Sequence, residues 1–226
     1  MKRLIPILIL ASGCVGTDVG NPQDKNDVDV TITLETDFQT TTQTLEAEGF
    51  SIIEANATLF AVEMSNNCDV DESALTQGPF AVDLLVTESI PVKTQGPGTY
   101  CKATFSFGEA NKPLENWLEI SGTLPDEREF RIEAKRSEKL IFNGRDSFVV
   151  DDDGASFNLS FDALNWLKDA ALPDENPVII SDNSNAALYN QFRQYFRDQS
   201  RLYKDSNRDN IIGPDERNPI ADLMAN

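Results

Sequence analysis

Val28, Val30, Ile32 and Leu34 alternate with Asp29, Thr31 and Thr33, the period of a strand with one buried and one solvated face. A two-residue period or a short apolar run recurs over residues 51–64, 80–86, 99–107, 118–121, 130–134, 139–142 and 156–161. Turn formers separate these stretches: Gly78-Pro79, Gly96-Pro97-Gly98, Gly108, Pro113, Pro125-Asp126, Asn143-Gly144 and residues 151–154. Asn143-Gly144 and Asp153-Gly154 suit tight hairpin turns, because both residue types in each pair tolerate positive φ. About eight short strands punctuated in this way predict a mainly β fold, an antiparallel β-sandwich over residues 28–161.

After Phe161 the period changes. Residues 162–169 predict a short helix with Leu164 and Leu167 on one side, and Pro173 ends the region. Residues 174–181 form a linker. Ser184 is then placed to cap a longer helix running to about Lys204. Its Leu188, Phe192, Tyr195, Phe196, Leu202 and Tyr203 recur mostly at helical spacing, a stripe that docks a helix on its own sheet or recognises a ligand. The C-terminal part, residues 162–226, is therefore expected to be helical.

The beginning of the chain carries a different signal. Lys2 and Arg3 precede an apolar run at residues 4–11, and Ala11-Ser12-Gly13 stands directly before Cys14, the layout of a secretory signal over residues 1–13. The run is too short to span a bilayer, which takes roughly 20 residues. Small residues before the cysteine resemble the lipobox of bacterial lipoproteins, with Ala11 where leucine is commonest. The resemblance implies cleavage before Cys14, acylation of Cys14 and attachment to a membrane through that lipid. Val15 stands where an aspartate would imply retention at the inner membrane, so the resemblance favours the outer membrane. Residues 14–27 are a tether of Gly, Asn, Asp and Pro without periodicity. Within it, Gly16-Thr-Asp-Val-Gly-Asn-Pro22 resembles the post-cysteine segment of lipoproteins from myxobacteria and their relatives.

Charge and missing residue types narrow the chemistry. The 226 residues hold 38 acidic and 19 basic side chains and no histidine, for a formal charge of −19. Loss of Lys2 and Arg3 with the leader takes it to −21. Histidine-based nucleophilic triads and histidine-ligated zinc or haem are excluded. The sign of the charge argues against a nucleic-acid partner, since that affinity comes from Lys and Arg neutralising phosphates. Of three cysteines, acylation of Cys14 leaves Cys68 and Cys101, 33 positions apart. A disulfide between them would contribute roughly 2–4 kcal/mol; the alternative is two unpaired core thiols. Acidic clusters at Asp69, Asp71 and Glu72, and at Asp151, Asp152 and Asp153, fall in turns. Such clusters supply calcium ligands or the carboxylate pair of a glycosidase, or are aspartates bonding their own loop backbone.

One stretch has specific chemistry. Residues 205–216 resemble the twelve-residue calcium loop of the EF-hand and the loops of dockerins. Hard Ca²⁺ takes six to eight oxygens, and alternate residues of a tight loop converge on one ion. The resemblance puts Asp205, Asn207 and Asp209 at positions 1, 3 and 5, the Ile211 carbonyl at position 7 and Glu216 at position 12, closing the sphere in bidentate fashion. Asn210 stands where the turn glycine is usual, and asparagine also enters the left-handed region. Ile212 is the apolar anchor, Gly213 leaves room for a water, and Pro214 suits the first turn of an exiting helix. Arg217 and Lys204 depart from the pattern, standing where apolar and aromatic residues are common. No second loop of this spacing occurs in the chain.

Together these features predict a lipid-anchored envelope protein with one calcium site, a binding or structural module for a protein or glycan, without enzymatic chemistry. An adhesin-like sandwich without metal and a carboxylate-based glycan hydrolase are the alternatives.

Overall fold

A computed structural model describes residues 28–36, 49–66, 73–94, 96–108, 115–161 and 164–223. The leader, Cys14, the tether, Cys68 and the Asp69, Asp71 and Glu72 cluster lie outside the described residues.

The alternating stretches form strands β1 (Val30–Thr36), β2 (Ser51–Ser65), β3 (Ala74–Asp83), β4 (Ser89–Val92), β5 (Gly98–Phe107), β6 (Leu118–Thr123), β7 (Glu129–Ala134), β8 (Glu138–Val150) and β9 (Ala155–Phe161). Helix α1 (Leu164–Asp169), β10 (Val178–Ile180), helix α2 (Ala186–Gln199), β11 (Arg201–Asp205), a 3-10 turn at Pro214–Glu216 and β12 (Ala221–Leu223) complete the order. The strands join in one curled sheet, β10-β7-β6-β2-β5-β8-β12-β11-β9-β1-β4, with β3 paired to β2 off that path. The fold is mainly β and sandwich-like, and its inward side chains share a single apolar core.

The long strand β2 makes the curl. Ser51 to Ala57 pair with β6 and Leu59 to Ser65 with β5, and register breaks lie at Ile52/Glu54 and Leu59/Ala61. Such bulges bend a strand so that its two ends serve different parts of the curled sheet. Not every pairing is antiparallel. β1 runs parallel to β9, and β10 parallel to β7.

Four differences from the sequence expectation bear on the site. Asn143-Gly144 is not a turn but lies within β8, where Asn143 pairs with Lys102 on β5 and Asp222 on β12. Ser184 does not cap α2. Asn185 takes that position in left-handed backbone, and its side-chain amide donates to the Ile179 carbonyl at 2.7 Å. The helix ends at Gln199, because Ser200 turns extended and binds the Phe196 carbonyl with both its amide and its hydroxyl. Residues 201–205 then form strand β11 against β9, with Leu202 opposite Leu159 in the core and Asp205 opposite Ser156 on the other face. Finally, the 3-10 turn at Pro214 is followed by strand β12, so the loop 206–220 connects two strands rather than two helices.

The aromatic stripe on α2 is core. Phe196 packs against the rings of Phe107, Trp117, Phe161 and Phe192 at centroid distances of 5.6, 5.3, 5.2 and 6.4 Å. Tyr195 sits at the margin of that core. Phe196→Ala should cost about 3–5 kcal/mol, the transfer loss plus an unfilled cavity. Urea denaturation will read it as a lower midpoint at unchanged slope.

Candidate metal centre

β11 delivers Asp205 to the start of the loop in a fixed place. Its Oδ2 accepts from Ser156 Oγ at 3.0 Å and from the Asn210 amide at 2.9 Å, while Oδ1 accepts from the Asp209 amide at 3.3 Å. A carboxylate that is 2% exposed needs such partners to stay in the fold. The chain then winds around it. Asn207 Oδ1 accepts from the Asp209 amide at 3.0 Å, and Asp209 Oδ1 from the Ile211 amide at 2.9 Å. Asn207 Nδ2 donates to Asp209 Oδ2 at 3.1 Å. Two non-glycine residues take the left-handed conformation to close the winding, Arg208 at φ 60° and Asn210 at φ 64°. Asn210 thus occupies the turn position in the conformation the sequence assigned to it.

Glu216 returns to the same place from the far end. The 3-10 turn, closed by the Glu216 amide on the Gly213 carbonyl at 3.0 Å, points its carboxylate back. Oε1 accepts from the Ser206 amide at 2.6 Å and the Asn207 amide at 3.3 Å, and Oε2 from the Gly213 amide at 3.0 Å. Four expected ligand side chains, Asp205, Asn207, Asp209 and Glu216, are therefore held in one hydrogen-bonded winding. Ile211 has an exposed side chain, which suits a residue expected to contribute only its carbonyl.

The acceptor count shows what this winding can do. A carboxylate oxygen offers two lone pairs. Asp205 Oδ2 and Glu216 Oε1 each already accept two bonds. Asp205 Oδ1, Asn207 Oδ1, both Asp209 oxygens and Glu216 Oε2 each accept one, so each keeps a lone pair for a cation. The donor set is all oxygen and fits a hard ion. Bidentate closure by Glu216 requires Oε1 to give up an amide, the long bond from Asn207 being the weaker of its two. Among the described residues, no three acidic, cysteine or histidine side chains are already drawn together as a metal cage.

Beneath the winding lies a polar floor that sequence reading missed. Thr33 and Glu35 of β1, Ser156 and Asn158 of β9 and Asp205 of β11 are all buried. Thr33 donates to Asn210 Oδ1 at 3.1 Å, the Ile212 amide to Glu35 Oε2 at 3.3 Å, and Arg208 Nη2 to the Gly154 carbonyl at 3.0 Å. Gly154 is obligatory here: a Cβ would lie 1.9 Å from the Asp29 carbonyl, which accepts the Ala155 amide. The polar half of the β1 alternation was the available signal, but alternation alone assigns that half to water.

Burial pushes the Glu35 carboxyl above its ordinary 4.5, and nearby Asp205 adds to the rise; the Ile212 amide, Arg217 and Asn158 oppose it. A carboxyl raised in the folded state binds its proton more tightly there, so stability falls as pH rises from the unfolded value through the folded one. Glu35→Gln should remove that fall. In chelator, urea midpoints at about pH 4 and about pH 7 should show the variant gaining on the parent at the higher pH.

Cys101 is on β5, where its neighbour Lys102 pairs with Ser65 at the end of β2, three residues before Cys68. Asp151, Asp152 and Asp153 are exposed in the tight turn closed by the Gly154 amide on the Asp151 carbonyl. No helix among the described residues is long and apolar enough to cross a membrane. No protein-family model, curated protein or solved structure matches the chain.

Proposed function

We propose that this is a lipid-anchored protein of the bacterial envelope whose loop 205–216 binds one calcium ion, and that it acts as a binding or structural module without catalytic chemistry. The hydrogen-bonded winding that gathers Asp205, Asn207, Asp209 and Glu216 in one short loop, with a lone pair left on each side chain, is the observation that supports the calcium reading. The strand–loop–strand setting favours an ion that fixes local structure. β11 and β12 are both tied into the sheet, which leaves no pair of helices to swing open as in a sensor.

The anchor rests on Ala11-Ser12-Gly13-Cys14, and Val15 after the cysteine favours the outer membrane. A disulfide between Cys68 and Cys101 is consistent with that compartment; the β2–β5 register sets Ser65, three positions before Cys68 in sequence, opposite Lys102, the neighbour of Cys101. The non-enzymatic reading is supported by the buried carboxylates among the described residues. Glu138 pairs with Arg193, and Glu35 and Asp205 are engaged beneath the loop.

Calorimetric titration with calcium decides the main point. The parent should take up one ion, and Glu216→Gln should weaken binding at least about tenfold, which is about 1.4 kcal/mol. An unchanged affinity in the variant would remove Glu216 from the ligand set. Cys14→Ser should abolish incorporation of labelled fatty acid and move the protein from the membrane fraction to the soluble one.

A further inference from the structure

We propose that the loop 206–220 is a clasp that locks β1 into the sheet, and that calcium in the loop tightens this clasp; the calcium part rests on the reading above. β1 has weak local support. Its neighbours are β4, which has only four residues and ends the sheet, and the parallel β9, which begins 125 positions downstream. The loop supplies what these lack, because it crosses the polar face of β1 and fastens it from above. Asn210 holds Thr33 and Ile212 holds Glu35, each across 177 positions of sequence. Arg208 holds the carbonyl of Gly154, next to the Ala155 amide that binds Asp29 ahead of β1.

Over residues 205–212 the loop divides by parity. Positions 205, 207, 209 and 211 are expected ligands, with Glu216 joining them from the 3-10 turn, while 208, 210 and 212 make the three contacts beneath the loop. An ion that fixes the odd positions also fixes the even ones, since they are the same short backbone. The far end of the clasp is secured separately. β12 pairs with both β8 and β11, and the Ile220 amide donates to the Leu202 carbonyl at 2.9 Å. Asp205 secures the near end through Ser156. Calcium affinity and β1 attachment are then linked, and each changes the other by the same factor.

Hydrogen–deuterium exchange of the purified full chain, read by peptide mass spectrometry in calcium chloride and in chelator, tests this. With calcium at about 100 times its Kd, exchange through openings of β1 that release the ion should slow by up to about 100-fold, while β6 and β7 keep their rates. Thr33→Val removes the hydroxyl that meets Asn210 and touches no metal ligand. It should still titrate with calcium, more weakly, and lose several-fold of the slowing in β1. Calcium binding with unchanged β1 exchange would overturn the link between calcium and the clasp. Absence of calcium binding by calorimetry and thermal shift would overturn the metal site and the calcium half together. The clasp itself then requires faster β1 exchange in metal-free Thr33→Val than in the metal-free parent, and equal rates would overturn it.

Discussion

A buried carboxylate, Asp205, is the constraint around which the C-terminal third is organised. It stands at the end of β11 with 2% exposure, hydrogen-bonded by one hydroxyl and two backbone amides. A carboxyl group removed from water is tolerated only when hydrogen-bond partners replace the water. Here one donor comes from the sheet, Ser156, and two come from the loop, the amides of Asp209 and Asn210. The loop must therefore wind over the sheet, and the winding needs left-handed backbone at Arg208 and Asn210. Asn207 and Asp209 stabilise the same turns through their own side chains. The outcome is a set of oxygens gathered by backbone requirements, with capacity left for a hard cation.

That arrangement places a third acidic group, Glu216, and a fourth, Glu35, within reach of the same small region in a chain that is already strongly acidic. Backbone amides offset part of the repulsion, and Arg217 acts on Glu35 from the rim. Amides carry only partial charge, so the carboxylates remain electrostatically unsatisfied as a group. A divalent cation bound there would offset that repulsion, which is the physical basis of the calcium proposal. The Arg208 guanidinium is directed to the Gly154 carbonyl and serves attachment.

Much of this was legible in the chain and some was not, for reasons that differ by element. The long alternating strands and the Asp205–Glu216 spacing stand out because periodicity and turn chemistry are local. Asn210 was readable as the left-handed residue for the same reason. β4, β10 and β12 were not, being three or four residues long and defined by their neighbours. Arg201 to Asp205 resembles the continuation of α2, since Leu202 and Tyr203 extend the aromatic stripe of Phe192 and Phe196. Only the extended turn at Ser200 and the waiting edge of β9 make it a strand. Asn143-Gly144 shows the reverse case, a strong turn pair carried inside a strand, with Asn143 partnered on both sides and Gly144 by Ala221, where the β5–β8 register breaks. Glu35 was the most deceptive. A polar residue at an outward position of a strand is ordinarily wet, and only the loop returning 177 residues later buries it.

The same polar face of β1 has a second use during synthesis. Neither β4 nor β9 exists when β1 emerges, so Val30, Ile32 and Leu34 must wait without a partner, and β9 pairs in parallel with no hairpin to guide it. Long-range pairing of this kind is slow and leaves an edge open to the wrong partners. Thr31, Thr33 and Glu35 make one face of the waiting strand soluble, which blunts non-specific stacking. Once β9 and β11 are in place, those same side chains become the anchor points for the loop. The group that keeps β1 apart from other chains is thus the group through which the C-terminus closes over it, and the desolvation of Glu35 is the cost of that reuse.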